Sequence, residues 1–397
     1  MLLPEYRFVF SPRSPYLKMK HLLSVLFFTI IAGPGPEKEM YDSFHPGKEW
    51  KDNNGVHINA HGGGITYFGE KYYWYGEHKV QGRIGNSAQV GVRVYSSRDL
   101  YNWKDEGIAL SVDEKDPSSE IAKGCIIERP KVIYNRKSGK FVMWFHLELK
   151  GHGYDAARAG VAISDSPVGP FTYIRSCRPD AGYWPVNVGD HHKRPVSDSV
   201  KDKYCGGKGC LPGPVDSVNI LGRDFRNGQM SRDMTLFVDD DGTAYHIFSS
   251  EENSTLHISR LSDDYLTHTG IYTRVFMDRY MEAPTILKTS EGKYFFIGSD
   301  CTGWDPNAAR SATADHISGP WKELGNPCTG KDSAITFGSQ GTFLLPVQGK
   351  KDAFIFMADQ WTPENPVDGK YIWLPISFNG ERIVLEWKDE WDLGTFN

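Results

Sequence analysis

The amino-acid sequence predicts an all-β protein with a five-bladed β-propeller fold, because one pattern recurs five times along the chain. In each copy, an ionisable or hydrogen-bonding residue precedes an apolar strand, a glycine-containing turn and a second, aromatic-rich strand. The opening residues of the five copies are His61, Glu128, Asp233, Glu282 and Gln340. A third strand follows each hairpin, for example at residues 90–97 and 255–262.

The propeller is predicted because a single hairpin cannot bury both of its faces. An isolated hairpin is marginal in water, whereas four-stranded units arranged around an axis bury their faces against one another. The innermost strands would begin at the five opening residues, so those side chains should surround one mouth of the central channel. A β-sandwich or a solenoid, with ordinary turn residues at these positions, is the alternative fold.

The N-terminal residues have the order of a secretory signal peptide. Lys18 and Lys20 precede an apolar run over residues 22–31, and the small residues Ala32 and Gly33 follow it. The run is too short to span a bilayer. We therefore predict a signal region over residues 1–33 and a periplasmic or secreted protein. We interpret residues 1–18, upstream of Met19, as the product of a start codon assigned too far upstream.

The rest of the chain is predicted to form one large domain. Residues 34–50 indicate a linker, and residues 51–397 contain the repeats. Residues 177–230 interrupt the pattern, since they are polar, rich in glycine and proline, and contain three cysteines. Insertions of this length are usually functional or mobile, and we expect this one to fold over the channel mouth. The C-terminal residues 385–393 are expected to pair with the first blade and close the ring.

Charge and composition limit the classes of partner. The 45 basic and 50 acidic residues give a net charge of −5 and form no basic stripe, so we expect no nucleic acid partner. No apolar stretch is long enough for a transmembrane helix. We expect a monomer. The 11 tryptophans are suited to stacking on the apolar faces of sugars, although most aromatic residues in β proteins belong to the core.

The six cysteines leave three alternatives open. An exported chain can oxidise its thiols, and Cys205 and Cys210 enclose only four residues, so a local disulfide is one alternative. A zinc site is a second, although the neighbouring His191 and His192 lack the usual ligand spacing. Free thiols are the third.

Three opening residues, Glu128, Asp233 and Glu282, are carboxylates that should converge near the axis. Converging carboxylates repel each other, so at least one pKa should rise and that group can act as an acid near neutral pH. Hydrolysis of a glycosidic bond uses such a set: a protonated acid at the leaving oxygen and a group that activates water. The alternative is a structural role as strand caps or as hydrogen bonds between blades.

Motifs from about residue 50 to the C-terminus resemble those of glycoside hydrolase family 43, the five-bladed propeller enzymes of plant polysaccharide breakdown. Each motif alone is weak, but the set is specific. It includes AHGGGI (60–65), YYWYGE (72–77), ERPKVIYN (128–135), SRDMTLFVDDDGTAYHI (231–247), EAPTILK (282–288), CTGWDPNAARSA (301–312) and SQGTFLLP (339–346). The branch that these motifs resemble most includes exo-β-1,3-galactanases and relatives that act on galactofuranosyl or arabinofuranosyl units.

The resemblance implies roles for the opening residues. It makes Glu282 the general acid and Asp233 the residue that orients this acid and tunes its pKa. The family usually places an aspartate general base on the first inner strand, where this sequence has His61 instead. In the galactan-acting branch that role moves to a glutamine, which Gln340 matches. Glu128 is then implied to bind sugar or position water, and it remains the alternative base because a neutral amide is a poor one.

Further candidates lie at strand ends or loops beside the ring. Each is a candidate for binding a sugar hydroxyl or stacking on a sugar ring, with a structural role as the equal alternative. They are Glu77, His146, Tyr154, Arg232, Thr302 and Trp304. His61 is also a candidate for the channel floor, where it would hold a water or a structural ion. No other metal and no cofactor is expected.

The predicted function is an exported, inverting glycosidase that acts on an oligosaccharide or polysaccharide. It would remove terminal galactosyl, galactofuranosyl or arabinofuranosyl units from plant-type side chains. A non-catalytic, sugar-binding propeller is one alternative, because the first inner strand lacks the usual aspartate. A β-xylosidase or α-L-arabinofuranosidase specificity is another.

Overall fold

The computed structural model describes residues 40–204 and 206–396. In this part of the chain the strands form five sheets, which confirms the predicted five-bladed propeller. The predicted signal region and the first six residues of the predicted linker lie outside the described residues.

Four blades are four-stranded antiparallel sheets in which neighbouring strands follow each other in the chain. Blade one contains β1 (His61–Phe68), β2 (Lys71–His78), β3 (Gly91–Ser97) and β4 (Lys104–Ser111). Blade two contains β5 (Ile126–Asn135), β6 (Lys140–Glu148), β7 (Arg158–Ser164) and β8 (Thr172–Cys177). Blade three contains β9 (Met234–Val238), β10 (Ala244–Ser250), β11 (Thr255–Leu261) and β12 (His268–Val275). Blade four contains β13 (Met281–Lys288), β14 (Tyr294–Asp300), β15 (Arg310–Ala314) and β16 (Lys322–Gly325).

Blade five has a fifth, short strand. It contains β17 (Cys328–Thr329), β18 (Gln340–Pro346), β19 (Phe354–Gln360), β20 (Lys370–Asn379) and β21 (Arg382–Glu386). The strand β17 pairs in parallel with the outermost strand β21. The innermost strands β1, β5, β9, β13 and β18 contact one another in a ring, which encloses the channel.

The core lies between the blades, because both faces of each sheet pack against a neighbour. Strand β6 shows the consequence, since every residue after Lys140 is buried. Five apolar clusters fill the five spaces between adjacent blades. This continuous burial explains why β6 is a nearly continuous apolar run and not an alternating one.

The ring closes around two segments that flank the repeats. Phe44 and Trp391 form an antiparallel bridge, in which Phe44 N donates to Trp391 O at 2.7 Å, and their rings stack at 4.3 Å. Both are buried in the cluster that contains Trp74 and Trp373. Residues 40–50, predicted as linker, therefore contribute to the core. The expected pairing of the C-terminal residues with a blade-one strand is wrong, because β21 belongs to blade five and Trp391 pairs with a residue that precedes blade one.

The insertion after β8 is anchored to blade three. It contains two short helices, α1 (Val215–Val218) and α2 (Ile220–Asp224). Val186 N donates to Tyr272 O on the outermost strand at 2.8 Å. Arg223 forms a buried ion pair with Glu252 at 2.8 Å, which holds the insertion next to the end of β10.

The structure also bears on the alternatives for the cysteines and on the prediction about membrane-spanning helices. Cys210 is disulfide-bonded, whereas Cys125, Cys177, Cys301 and Cys328 are free thiols. Position 205 lies outside the described residues. No helix in the described ranges has the length and hydropathy that crossing a bilayer requires.

Candidate active site

A pocket of about 520 Å³ lies at the channel mouth where the inner strands begin. Four of the five opening residues line it together: Glu128, Asp233, Glu282 and Gln340. Five residues of the second group of candidates also line it: Glu77, His146, Tyr154, Arg232 and Trp304.

Two sequence-predicted candidates, His61 and Thr302, do not line the pocket. The ring of His61 is buried, stacks on Tyr371 at 5.3 Å between centroids and lies 3.7 Å from a carboxylate oxygen of Asp359. Thr302 uses its hydroxyl inside its own loop, where Oγ1 donates to Asp305 O at 2.6 Å. The prediction that these two residues bind substrate is therefore corrected: one packs between blades and the other holds a loop.

Backbone bulges direct the two pocket glutamates. The strand register shifts after Glu128 in β5 and after Glu282 in β13. The residue that follows each glutamate, Arg129 or Ala283, has a left-handed backbone with φ of 51°. This conformation is costly for a residue with a side chain and persists where the surrounding structure enforces it, commonly at functional sites. The register also shifts near the start of β1 and of β18. The bulge is therefore a shared feature of these inner strands, and at Glu128 and Glu282 it accompanies a side chain that lines the pocket.

Glu282 lies where the protonated form is favoured. Burial and, next, the negative charge of Asp233 raise the pKa of Glu282 to about 7. Asp233 is fixed in turn, because its Oδ2 lies 3.0 Å from Ala283 N, which donates to it, and 2.9 Å from Arg129 Nε. A carboxyl group that keeps its proton near neutral pH is suited to protonating the leaving oxygen of a glycoside.

Glu128 is ionised, in contrast with Glu282. Tyr154 Oη donates to Glu128 Oε1 at 2.7 Å, and His146 Nδ1 lies 3.0 Å from Glu128 Oε2. Burial by itself raises the pKa of Glu128, but the hydrogen bonds and charge of these neighbours bring it to about 2. His146 also contacts Glu148 at 2.9 Å; although burial opposes its charge, the two carboxylates raise the pKa of His146 to about 10. The pocket thus combines a carboxyl group that holds its proton up to about pH 7 with a carboxylate.

The amide of Gln340 has a fixed orientation. Its Oε1 accepts hydrogen bonds from Arg129 Nη2 at 2.6 Å and Trp361 Nε1 at 3.0 Å. Its Nε2 donates to Ser299 Oγ at 2.9 Å. An amide oxygen has two lone pairs and an amide nitrogen two protons. The capacity that Gln340 retains for a ligand is therefore one N–H donor.

Glu77 and Lys79 form a buried ion pair at the pocket wall, with Nζ 2.6 Å from Glu77 Oε2. The other oxygen of Glu77 accepts a hydrogen bond from Arg129 N at 3.0 Å. Arg129 N belongs to the bulge that follows Glu128, so Glu77 supports that bulge as well as lining the pocket.

The insertion forms one wall of the pocket, through residues 206–208. Gly206 N donates to Glu252 Oε2 at 2.6 Å, and Lys208 Nζ pairs with Asp300. At the pocket edge, the Trp304 ring is 47% exposed and lies edge-on to Trp361, with centroids 6.1 Å apart. The pocket is therefore lined by an aromatic surface as well as by a loop of the insertion.

Sequence reasoning missed several pocket residues, and four of them share one position in the repeat. They follow the second strand of a blade within three residues: Lys79 after β2, Asn253 after β10, Cys301 after β14 and Trp361 after β19. In an antiparallel hairpin the end of the second strand lies beside the start of the first. The signal was thus available from the repeat itself. Arg129, also missed, is the neighbour of Glu128 in the chain.

Two groups of described residues offer ligand atoms within 4.8 Å of one another, as a metal site requires: Glu128 with His146 and Asp233, and His191 with His192 and Asp216. In each group an arginine already pairs with the aspartate, Arg129 at 2.9 Å and Arg274 at 2.7 Å. A guanidinium next to the ligand set opposes the binding of a second cation.

The chain is similar to several solved enzymes. It is 51% identical to a glycoside hydrolase family 43 β-1,3-galactosidase solved with galactodeoxynojirimycin, with a TM-score of 0.82 over 88% of this chain and 100% of that one. It is 35% identical to an exo-β-1,3-galactanase from Clostridium thermocellum, with a TM-score of 0.70 over 88% of this chain and 66% of that one. It is 30% identical to an exo-β-1,3-galactanase from Phanerochaete chrysosporium solved with β-1,3-galactotriose, with a TM-score of 0.70 over 89% and 68% of the two chains.

The chain spans about two thirds of the length of the Clostridium and Phanerochaete enzymes, but the full length of the β-1,3-galactosidase. Neither a protein-family model nor a curated protein matches it. Half of the residues are identical over the whole of one family 43 enzyme, and the fold is the same five-bladed propeller. The chain therefore belongs to glycoside hydrolase family 43 and is a glycosidase that hydrolyses O-glycosyl bonds.

Proposed function

We propose that this glycosidase is an exo-acting β-1,3-galactosidase that removes terminal galactosyl units from galactan-type saccharides with inversion at the anomeric carbon. The observation that carries the proposal is the pair Glu282 and Glu128 in one pocket, one neutral and one ionised. The names of the similar enzymes favour a β-1,3-linked galactosyl substrate over furanosides and xylosides.

On the leaving-group side, Glu282 donates its proton to the glycosidic oxygen. Asp233 keeps the proton on Glu282 until the bond breaks, because its negative charge disfavours ionisation of Glu282. The resulting carboxylate then remains next to Arg129 and Arg232, whose positive charges favour the ionised form.

On the water side, Glu128 accepts the proton of the attacking water and Gln340 orients that water. Both lone pairs of Gln340 Oε1 are occupied, so its amide offers an N–H to a water oxygen and has no lone pair free to receive a proton. Glu128 is an ionised carboxylate in the same pocket. Because water and not a carboxylate attacks, the product is the inverted anomer.

The insertion supports action at a chain end. Residues 206–208 form one wall of the pocket and are held in place by contacts with Glu252 and Asp300. A pocket with such a wall accommodates a terminal unit more readily than the interior of a polysaccharide chain. Trp304 then provides the exposed ring on which the next unit stacks.

The test is hydrolysis of β-1,3-galactobiose and β-1,3-galactan, with the first-formed anomer followed by NMR before mutarotation. We expect galactose as the product, formed with inversion, and a loss of roughly a hundredfold or more in Glu282→Gln. Nitrophenyl β-xyloside and the galacto- and arabinofuranosides are the comparison panel. Saccharide binding without product would favour a sugar-binding propeller, and net retention would exclude the water mechanism.

We also propose that the protein is exported as a monomer and needs no cofactor for this reaction. Export rests on the signal-type order of residues 18–33, which lie outside the described ones. N-terminal sequencing of the protein recovered from the periplasm or medium tests it, and a chain that still carries residues 19–33 would contradict it.

A further inference from the structure

We propose that Cys301 is a positioning residue for the general acid, because its thiol and the Asn253 amide hold one oxygen of Glu282 and leave the other to carry the proton. This inference rests on the acid role proposed above for Glu282. It assigns a task to a free cysteine that the hydrolytic mechanism does not otherwise use.

Two donors converge on the same carboxyl oxygen. Cys301 Sγ lies 3.0 Å from Glu282 Oε1, and Asn253 Nδ2 lies 3.0 Å from the same atom. No hydrogen bond among the described residues reaches Glu282 Oε2. Oε1 is thus fixed as the acceptor, so the proton of the neutral acid resides on Oε2, the oxygen left open to a glycosidic oxygen.

The chain is built to bring these donors together. Glu282 pairs with Ser299 across the β13–β14 ladder, and Cys301 comes two residues later, directly after the end of β14. Asn253 is the last of three consecutive residues, 251–253, with left-handed backbones at φ of 49°, 60° and 63°. Three such residues in a row are costly, and this kind of strain is found where function requires a side chain in a particular place.

A thiol suits this position because it is a weak donor. Burial, and then the negative charge of Glu282, raise the pKa of the Cys301 thiol to about 12, so it keeps its proton at any working pH. A hydrogen bond to the ionised form lowers the pKa of an acid. A weak donor can therefore orient Glu282 while leaving its pKa high enough for protonation of the leaving group.

The experiment compares Cys301→Ala, Cys301→Ser and the control Cys328→Ala, which removes a different free thiol, one that is buried on β17 outside the pocket. For each variant, kcat/KM is measured against pH with β-1,3-galactobiose, a poor leaving group, and with dinitrophenyl β-galactoside, a good one. Thermal unfolding of each variant verifies that it is folded.

In Cys301→Ala we expect the basic limb of the profile to move to higher pH by roughly half a unit. The variant loses a weak hydrogen bond that stabilises the ionised form of Glu282 by under about 1 kcal/mol, so the pKa of Glu282 rises. Turnover of galactobiose should fall several-fold and that of the dinitrophenyl substrate should not. Cys301→Ser, which supplies a stronger donor, should move the basic limb below its wild-type position, and Cys328→Ala should leave it unchanged.

The inference is overturned if Cys301→Ala leaves both the basic limb and the leaving-group dependence unchanged, or if Cys328→Ala changes them equally. Should Cys301→Ala not fold, Cys301→Ser decides alone, because a stronger donor must lower the basic limb. Failure of the proposed function is seen separately: the wild type would then release no galactose, and the variants would be compared on the glycoside that it does cleave.

Discussion

Arg129 donates a hydrogen bond from Nη2 to Gln340 Oε1 at 2.6 Å, and this contact determines which side of the amide a ligand meets. The same guanidinium lies 2.9 Å from Asp233 through Nε. One cation thus joins the residue proposed to tune the acid to the residue at the proposed water site. A single buried side chain therefore contacts both halves of the proposed site.

The first prediction concerns Gln340→Glu. If Gln340 acted as a proton acceptor, a carboxylate in its place would be a better base and activity would persist. In the arrangement described, the amide contributes an N–H donor, and glutamate cannot supply one. We therefore expect kcat on β-1,3-galactobiose to fall by roughly a hundredfold, the size of loss that misplacing a reacting group by about 1 Å can cause.

The control for this variant is Gln348→Glu, the same change at an exposed position outside the pocket. It should leave kcat unchanged. Activity of Gln340→Glu equal to that of the wild type would return the role of base to position 340.

The second prediction concerns Asp233→Asn and the pH profile. Glu282 must be protonated to act, so activity falls as the pH rises through its pKa of about 7. The charge of Asp233 raises that pKa, and the substitution removes the charge while the new amide oxygen can still accept from Ala283 N. The basic limb of kcat/KM should move to lower pH, and an upward shift or no shift would show that Asp233 does not tune the acid.

The sequence was sufficient to identify the candidate residues at the starts of the inner strands, because the repeat shows that these positions are equivalent. Glu128, Asp233, Glu282 and Gln340 could be found in this way. His61 occupies the same place in the repeat, yet its ring packs on Tyr371 between blades. Equivalence in sequence therefore predicts where a strand begins, but not which way its first side chain turns.

The remaining pocket residues depend on contacts that no linear pattern contains. Lys208 reaches the pocket from an insertion without a repeat, through an ion pair with Asp300. The ionised state of Glu128 depends on His146 and Tyr154, which come from different positions of blade two. Such features follow from three-dimensional packing and charge, so a single sequence could place these residues near the ring but could not assign their states.

The third prediction concerns the exposed ring of Trp304. Its edge-on contact with Trp361 holds it at the rim of the pocket, where a second sugar unit would stack. Trp304→Ala should raise KM for β-1,3-galactotriose by about fivefold, consistent with roughly 1 kcal/mol of ring contact. KM for a nitrophenyl galactoside should change much less. Tyr183→Ala, which removes an exposed ring outside the pocket, is the control, and an equal rise in KM for both substrates would contradict stacking of a second unit.

The last prediction concerns the effect of Glu282 ionisation on the free energy of unfolding. The pKa of Glu282 rises from an ordinary value of 4.5 to about 7 in the folded protein. The folded state therefore binds this proton more tightly than the unfolded state, and folding loses stability as the pH rises from about 4.5 to about 7. The shift corresponds to at most about 3 kcal/mol.

Glu282→Gln removes this titration and the repulsion with Asp233, while its amide oxygen still accepts from Asn253 and Cys301. By calorimetry, we expect the inactive variant to be more stable than the wild type at pH 8 by about 1–3 kcal/mol and to differ little at pH 5. Glu291→Gln, in an exposed turn, should show no such pH dependence. A stability difference between Glu282→Gln and the wild type that is the same at both pH values would mean that the added stability comes from packing. It would contradict a raised pKa of Glu282 in the folded protein.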